Sequence, residues 1–340
     1  MIRIDKVNEY VNTLMANLSF KADYQTFLRK KGEKARLLIV EGATDEKFIK
    51  KIINPNVACM IAKKAFFKRP SFGIEKREDA INCKSAIVQL VYGLSRVPQL
   101  ISCEGSGNWV VYGMIDLDYD DEDLDMYRNT NQLFVTDTHD LETLLLSTDN
   151  ELLQRLKKCT IKEVDIKRAF SASYQIGLVK SLLIDYYSGI NLSALSSGTV
   201  NVSYNEFIDD EGMVSINNLV NYVCNNGNEI TSKKAESIIA KILKDKRIKK
   251  KTNGEGKWNW LADCFDYVAY DDFWDVVNGH DILSLLKYYN RGVAKAYSGN
   301  ILSIDREFEF DLIDNYEYSC LEKTNLYRNM YSNKIVKEIQ

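Results

Sequence analysis

The chain has 340 residues, of which 45% are apolar and 11% aromatic; that is enough to build a packed core and argues against disorder. The formal net charge is −3, so overall charge does not mark a nucleic-acid binder, and any such role needs local basic patches. The seven cysteines are scattered, none in a C-x-x-C pair, which argues against a zinc ribbon or a disulfide framework and for reduced thiols. The first residues, Met1 to Lys6, carry charge from the start, and no run of about 18 apolar residues occurs, so the expectation is a cytoplasmic protein without a signal peptide or a membrane partner.

Residues 1–32 read as an N-terminal amphipathic helical segment, with Val7, Tyr10, Val11 and Leu14 at helical spacing. Residues 33–150 alternate short apolar runs with helical patterns. Leu37 to Val40 is a strand candidate, and Thr44 is placed to cap a helix that continues through Phe48, Ile49 and Ile52 and stops before Pro55. Residues 56–62 suggest a second strand. Residues 77–96 suggest a helix with Ile81, Ala86, Ile87, Leu90 and Val91 facing inward. Trp109 to Ile115 follows a Gly-Ser-Gly-Asn turn and reads as a strong strand; Leu133 to Thr136 is another, followed by a helix from about Leu141. Strand and helix in alternation predict an α/β domain, a parallel sheet flanked by helices. From residue 151 to 340 the pattern changes to a mostly helical C-terminal domain, with helices expected at 151–158, 163–186, 215–226, 231–250 and 281–290.

Three acidic constellations carry chemistry. Glu41 ends the first strand, and Gly42 lets the chain turn into the helix; in open α/β sheets ligands bind at the carboxyl ends of strands. Asp116 and Asp118 end the Trp109 strand. As residues i and i+2 of a strand they would present two carboxylates on one face, an arrangement that a hard dication such as Mg²⁺ relieves. The run Asp120 to Asp125 reads as a solvated acidic loop. The third constellation is Thr136-Asp137-Thr138-His139-Asp140-Leu141-Glu142: Thr138 or Asp140 could cap the helix, and Glu142 is either part of that helix start or a metal or supporting residue.

Two basic runs could meet phosphate. Lys241 to Lys251 includes Lys246, Arg247, Lys249 and Lys250, with Trp258 and Trp260 beyond it. Basic residues contact phosphates, but a basic end also suits a helix C-terminus, and the tryptophans read as core anchors. The other run is Lys63, Lys64, Lys68 and Arg69, with Phe66 and Phe67 between them. In Asn278-Gly279-His280-Asp281, Asp281 is placed to cap the helix from Ile282 to Tyr289.

Glu-Gly after a first strand, Asp-x-Asp after a later one, His139-Asp140-Leu141-Glu142, and the run from Asn278 to Leu283 together resemble the TOPRIM-domain nucleases related to the OLD-type enzymes. Within these, the chain is most similar to the AriB effectors of the PARIS phage-defence system. The similarity runs patchily over residues 35–290. It implies a TOPRIM-like catalytic domain at 33–150. It makes Glu41 a general acid/base or metal ligand, Asp116 and Asp118 ligands of Mg²⁺ or Mn²⁺, and Glu142 a further ligand. Lys84 would be carried over as a nucleic-acid contact, although the glycine that relatives have before this lysine is Cys83 here, and on its own Lys84 reads as a surface lysine.

The implied activity is a divalent-metal-dependent endonuclease, with RNA such as tRNA favoured as substrate over DNA. It would act as the toxic effector of an anti-phage system. No G-x-x-x-x-G-K-[ST] occurs in the chain, so the resemblance implies an ABC-type ATPase partner in trans. A homodimer is a separate expectation, since a nuclease restrained by a partner could be activated by release and pairing. The alternative is a non-catalytic TOPRIM scaffold that docks an ATPase or senses a phage protein.

Overall fold

The computed structural model describes residues 4–19, 35–66, 83–96, 109–118, 129–152, 163–187, 204–225, 230–249, 251–258, 273–289 and 309–339. They belong to two compact units, Met1–Asp137 with Glu317–Gln340, and Thr138–Tyr316.

In chain order the first unit runs α1 (Ile4–Ser19), β1 (Ala35–Val40), α2 (Ala43–Ile52), β2 (Val57–Ile61), α3 (Ala62–Phe66), α4 (Cys83–Arg96), β3 (Trp109–Ile115) and β4 (Leu133–Val135). The four strands form one parallel sheet in the order β2-β1-β3-β4. Leu37, Leu38, Ile39 and Val40 are all buried, the unbroken apolar run expected of a strand covered on both faces. Side chains alternate along a strand. Leu37 and Ile39 therefore share one core with Val7, Tyr10, Val11 and Leu14 of α1 and with Ile87, Leu90 and Val91 of α4, while Leu38 and Val40 face the other way.

The order of the strands decides where a site can form. From β1 the chain steps outward to β2, then returns to place β3 on the opposite side of β1. The carboxyl ends of β1 and β3 thus flank a topological switch point, where a crevice opens in sheets of this kind. Val40 pairs with Met114, so Glu41 and the Asp116–Asp118 segment leave the sheet side by side.

Several elements differ from the sequence expectations. Thr44 does not cap α2; Gly42 occupies the cap position, and the Asp45 carboxylate accepts a hydrogen bond from its amide at 2.8 Å. Residues 77–82 of the expected long helix, with Ile81, lie outside the described residues, as do the loop 119–128, Phe67 to Arg69 and Trp260. The C-terminal segment returns to the first unit. The Lys337 amide donates to Ile52 O and the Asn54 amide to Ile335 O, and Tyr318 stacks on Phe48. Asp137 accepts the amides of Asn325 and Leu326, both at 2.9 Å, at the start of a helix at Asn325–Ser332. The sequence places a boundary near 150, whereas the compact units divide after Asp137. The reason is that the apolar residues of the helix beginning at Leu141 pack with the helical unit, which no change in composition announces.

That second unit contains α5 (Leu141–Thr148), α6 (Glu163–Tyr186), α7 (Ile216–Asn225), α8 (Ser232–Lys244), α9 (Lys246–Lys249), α10 (Phe273–Val276) and α11 (Gly279–Tyr289). Helix α6 is buried on most sides, from Ile166 to Leu183, and forms the centre of the unit. Phe170 and Tyr174 of α6 stack on Phe273, and Tyr174 meets the fully buried Trp258 edge-on. The expected helix 231–250 is broken at Asp245, whose carboxylate accepts the Arg247 amide at 2.8 Å and starts α9. Among the described residues no helix is long and apolar enough to cross a membrane.

Gly113 marks the tightest point between sheet and helix. A Cβ there would lie 2.3 Å from Ile87 Cγ2 and 3.1 Å from Leu133 Cδ1. Ile87 is buried and stiff at χ1, so Gly113→Ala is expected to destabilise the protein by about 1–3 kcal/mol, read as a lowered urea midpoint with an unchanged slope.

Candidate functional site

Glu41 follows β1 directly and is partly buried. Its Oε1 accepts the backbone amide of Asp116 at 3.0 Å, tying the exits of the two central strands together. Burial pushes the Glu41 carboxyl up to about 8; the nearby Asp45 and Asp118 carboxylates add to the rise, while the Asp116 amide and the Lys84 ammonium oppose it. Two more contacts shape the β3 exit. The Leu117 amide donates to Thr136 Oγ1 at 3.0 Å, and the Thr136 amide to Ile115 O at 3.2 Å.

Asp118 is not placed as the strand-alternation argument expects. β3 ends at Ile115 and Asp118 has φ +53°, the left-handed region that non-glycine residues visit rarely. Its carboxylate is instead directed by Lys84, whose ammonium donates to Asp118 Oδ2 at 2.9 Å and to Leu117 O at 3.0 Å. Lys84 is therefore not a surface lysine. It is 4% exposed, stands in the first turn of α4, and brings a buried positive charge to the carboxylates at the switch point. The signal for this was available only as the resemblance, because one lysine at a helix start has no pattern of its own.

Glu142 lies in the second unit and belongs to a different constellation. Asp140 caps α5, its Oδ1 accepting the Thr143 amide at 2.8 Å. Its Oδ2 accepts the Gly279 amide at 2.6 Å, at the start of α11. One carboxylate thus satisfies two helix N-termini. Burial would raise its pKa, but His139, His280 and the Thr143 amide together hold it down at about 2. A Cβ on Gly279 would lie 2.4 Å from Glu142 Cβ and 2.6 Å from Asp140 Oδ1, so only glycine permits this approach. Asp281 does not cap α11 as expected. Asn278 does so, through its Oδ1 and the Asp281 amide at 3.2 Å, and the Asp281 carboxylate is paired with Lys180 inside the unit.

This arrangement brings Glu142 beside His280 and Glu309, a residue within the helical segment 309–315. Burial pushes the Glu142 carboxyl up to about 8; His280 opposes this, and Asp140 and Glu309 reinforce it. Glu142, then Glu309 and Asp140, hold the His280 ring protonated well above the usual imidazole range. Burial opposes them, second in weight only to the Glu142 charge, although half of the side chain is exposed. Among the described residues, the three potential metal ligands whose donor atoms all lie within 4.8 Å of one another are Glu142, His280 and Glu309.

The basic run divides. Arg247 is held by Asp245 and Asp185, each at 3.0 Å. Its guanidinium keeps the Asp245 carboxyl near 2, and a group engaged in this way is not placed to grip phosphate. Lys246 and Lys249 are exposed, and Lys250 lies outside the described residues. Lys63 and Lys64 are exposed on α3.

No family model, curated protein or solved structure matches the chain.

Two outcomes follow from these charges. The folded Glu41 binds its proton more tightly than the unfolded residue, so its contribution to stability is full below pH 4.5 and is lost as pH rises to about 8. In chelator-containing buffer, Glu41→Gln should therefore gain stability relative to the natural protein between pH 5 and about 8; a constant difference across that range would refute the raised pKa. Asp281→Asn leaves Lys180, 2% exposed, without its counter-charge. Loss of about 3–5 kcal/mol is expected, measured by urea unfolding.

Proposed function

We propose that the chain is a divalent-metal-dependent endonuclease of the TOPRIM type, with Glu41, Asp116, Asp118 and Lys84 at its active site. The observation that carries this reading is the meeting of Glu41 with the Asp116–Asp118 segment at the switch point of a parallel sheet, with Lys84 buried against them. The Glu41 and Asp118 carboxylates there lie near one ammonium, that of Lys84, and Asp116 leaves the strand between them in sequence. An all-oxygen donor set with excess negative charge fits Mg²⁺ or Mn²⁺, and Glu41, Asp116 and Asp118 are the residues that would hold the ion. When bound, such an ion activates water and stabilises the charge that builds on a phosphodiester.

The protein's own groups do the rest. Lys84 orients the Asp118 carboxylate and offers its ammonium to phosphate oxygens. The Asp116 amide holds the Glu41 carboxyl at the ends of β1 and β3. Glu41 gives up a proton to bind a cation, so metal affinity rises with pH up to about 8. Exposed Lys246 and Lys249 supply general phosphate contacts. The substrate favoured by the resemblance is RNA, tRNA in particular, and the role is that of a toxic anti-phage effector restrained by an ABC-type ATPase in trans and paired as a homodimer once released.

A second reading, a non-catalytic scaffold that docks an ATPase or senses a phage protein, draws on the same Lys84–Asp118 pair, which partly neutralises the carboxylates without a metal. Expression in bacteria, with and without a partner ATPase and phage infection, separates the two. Discrete RNA or DNA fragments are expected with the natural chain and not with Glu41→Gln or Lys84→Met, each of which should reduce cleavage at least about 100-fold. The purified enzyme should lose activity in chelator and regain it with Mg²⁺ or Mn²⁺. Intact nucleic acid under every one of these conditions would leave the scaffold reading standing.

A further inference from the structure

The Glu142, His280 and Glu309 constellation lies in the helical unit and shares no residue with the proposed nuclease centre. Its three side chains come from three separate helical segments, and their donor atoms all fall within 4.8 Å of one another. Glu142 is 3% exposed. Among the described residues no other side chain donates a hydrogen bond to it, and its hydrogen bond is to its own backbone amide. A buried carboxylate whose hydrogen bond is only to its own amide is costly to ionise unless a cation faces it, and here that cation is either the protonated His280 ring or a metal ion in its place. Asp140 beside it cannot help, being a carboxylate already committed to the amides of Thr143 and Gly279.

The surroundings hold two of the three groups, His280 and Glu142, in place. His280 is the second residue of α11. Its backbone is fixed on one side by the Asn278 cap and the Gly279 amide on Asp140, and on the other by the buried Asp281–Lys180 pair. Glu142 is the second residue of α5, locked by the reciprocal Asp140 and Thr143 hydrogen bonds. Gly279 allows the two helix starts to approach until nothing larger fits between them. Rigid support of this kind around the ligands is what a metal site requires. The exposed half of the His280 ring leaves a path from solvent.

We infer that Glu142, His280 and Glu309 form a second metal site, for a transition-metal dication of the Zn²⁺ or Mn²⁺ class. One imidazole nitrogen with two carboxylates is a mixed N/O set, which these ions take readily and which Mg²⁺ and Ca²⁺, preferring oxygen alone, do not. Three protein ligands leave a position for water or an anionic group. Binding requires the neutral imidazole, so the ion displaces the His280 proton to solvent. The inference stands whether or not the switch-point carboxylates cleave nucleic acid.

The test uses the composition of the chain. It has two histidines, His139 and His280, so the imidazole nitrogens of the full-length protein give two sets of NMR signals. After chelator treatment and dialysis, one equivalent of Zn²⁺ should move one set from the histidinium to the metal-bound position, and Co²⁺ should shift or broaden the same set. His280→Gln should remove that response and Glu142→Gln should weaken Zn²⁺ binding by at least about 10- to 100-fold, the loss that even an outer-shell partner causes. Glu41→Gln should leave it intact while abolishing any cleavage, which separates failure of this inference from failure of the nuclease reading. If Zn²⁺, Mn²⁺ and Co²⁺ leave both histidines of the natural protein unchanged, the inference is wrong and the cluster is a histidinium between two carboxylates. That measurement needs no variant, so a variant that fails to fold does not weaken it. A response by His139 in place of His280 would also overturn it.

Discussion

The parallel pairing of β1 with β3 is the constraint on which the switch-point site depends. Both strands run the same way, so their carboxyl ends emerge at one edge of the sheet, and β2 lies on the far side of β1. Glu41 and Asp116 are 75 residues apart in sequence, yet the register of that pair, Val40 opposite Met114, brings them within one hydrogen bond. The apolar run Leu37 to Val40 holds the register by filling both faces at once, because slipping by one residue would exchange the two core surfaces. Gly113 serves the same end, letting α4 lie close against β3 and so placing Lys84 where it reaches the Asp118 carboxylate.

Both candidate sites are solutions to one electrostatic problem, carboxylates withdrawn from water. At the switch point the compensation is an ammonium and a backbone amide, from Lys84 and Asp116. In the helical unit it comes from two helix N-termini on Asp140 and from the His280 ring near Glu142 and Glu309. Neither set balances fully. Glu41 and Glu142 both keep carboxyls raised to about 8, chiefly by burial, so each keeps its proton near neutral pH unless a cation takes the proton's place. Groups of this kind concentrate at functional sites, and a dication is the common remedy. Asp281 shows the contrasting case: Lys180 pairs with it completely, and the pair serves to hold α11 against α6.

Much of the first unit was legible because it rests on local rules. The strands at 35–40 and 109–115 and the buried stripe of Val7, Tyr10, Val11 and Leu14 follow from periodicity, and the position of Glu41 at a strand exit follows from the same pattern. The capping and pairing roles were less legible. Thr44, Asp45, Asp140, Asn278 and Asp281 are all residue types that cap helices, and the sequence does not say which of several neighbours takes the role. Arg247 reads as a phosphate contact by composition, but Asp245 two residues earlier and Asp185 on α6 hold it. Lys84 and the Glu142 cluster were hidden for a different reason, since each acquires its meaning from a partner between 34 and 167 residues away.

By itself, the sequence determined the class of fold, the elements that carry the core, and the placing of Glu41 and Asp116 at strand ends, because the periods of 2.0 and 3.6 residues are written into the order of apolar side chains. Tertiary structure alone decided that Asp118 turns into the left-handed region to meet Lys84, that residues 317–339 return to the first unit, and that Glu142, His280 and Glu309 converge. Those outcomes depend on which buried charges end up facing one another, and that follows from the packing of distant elements rather than from any local pattern.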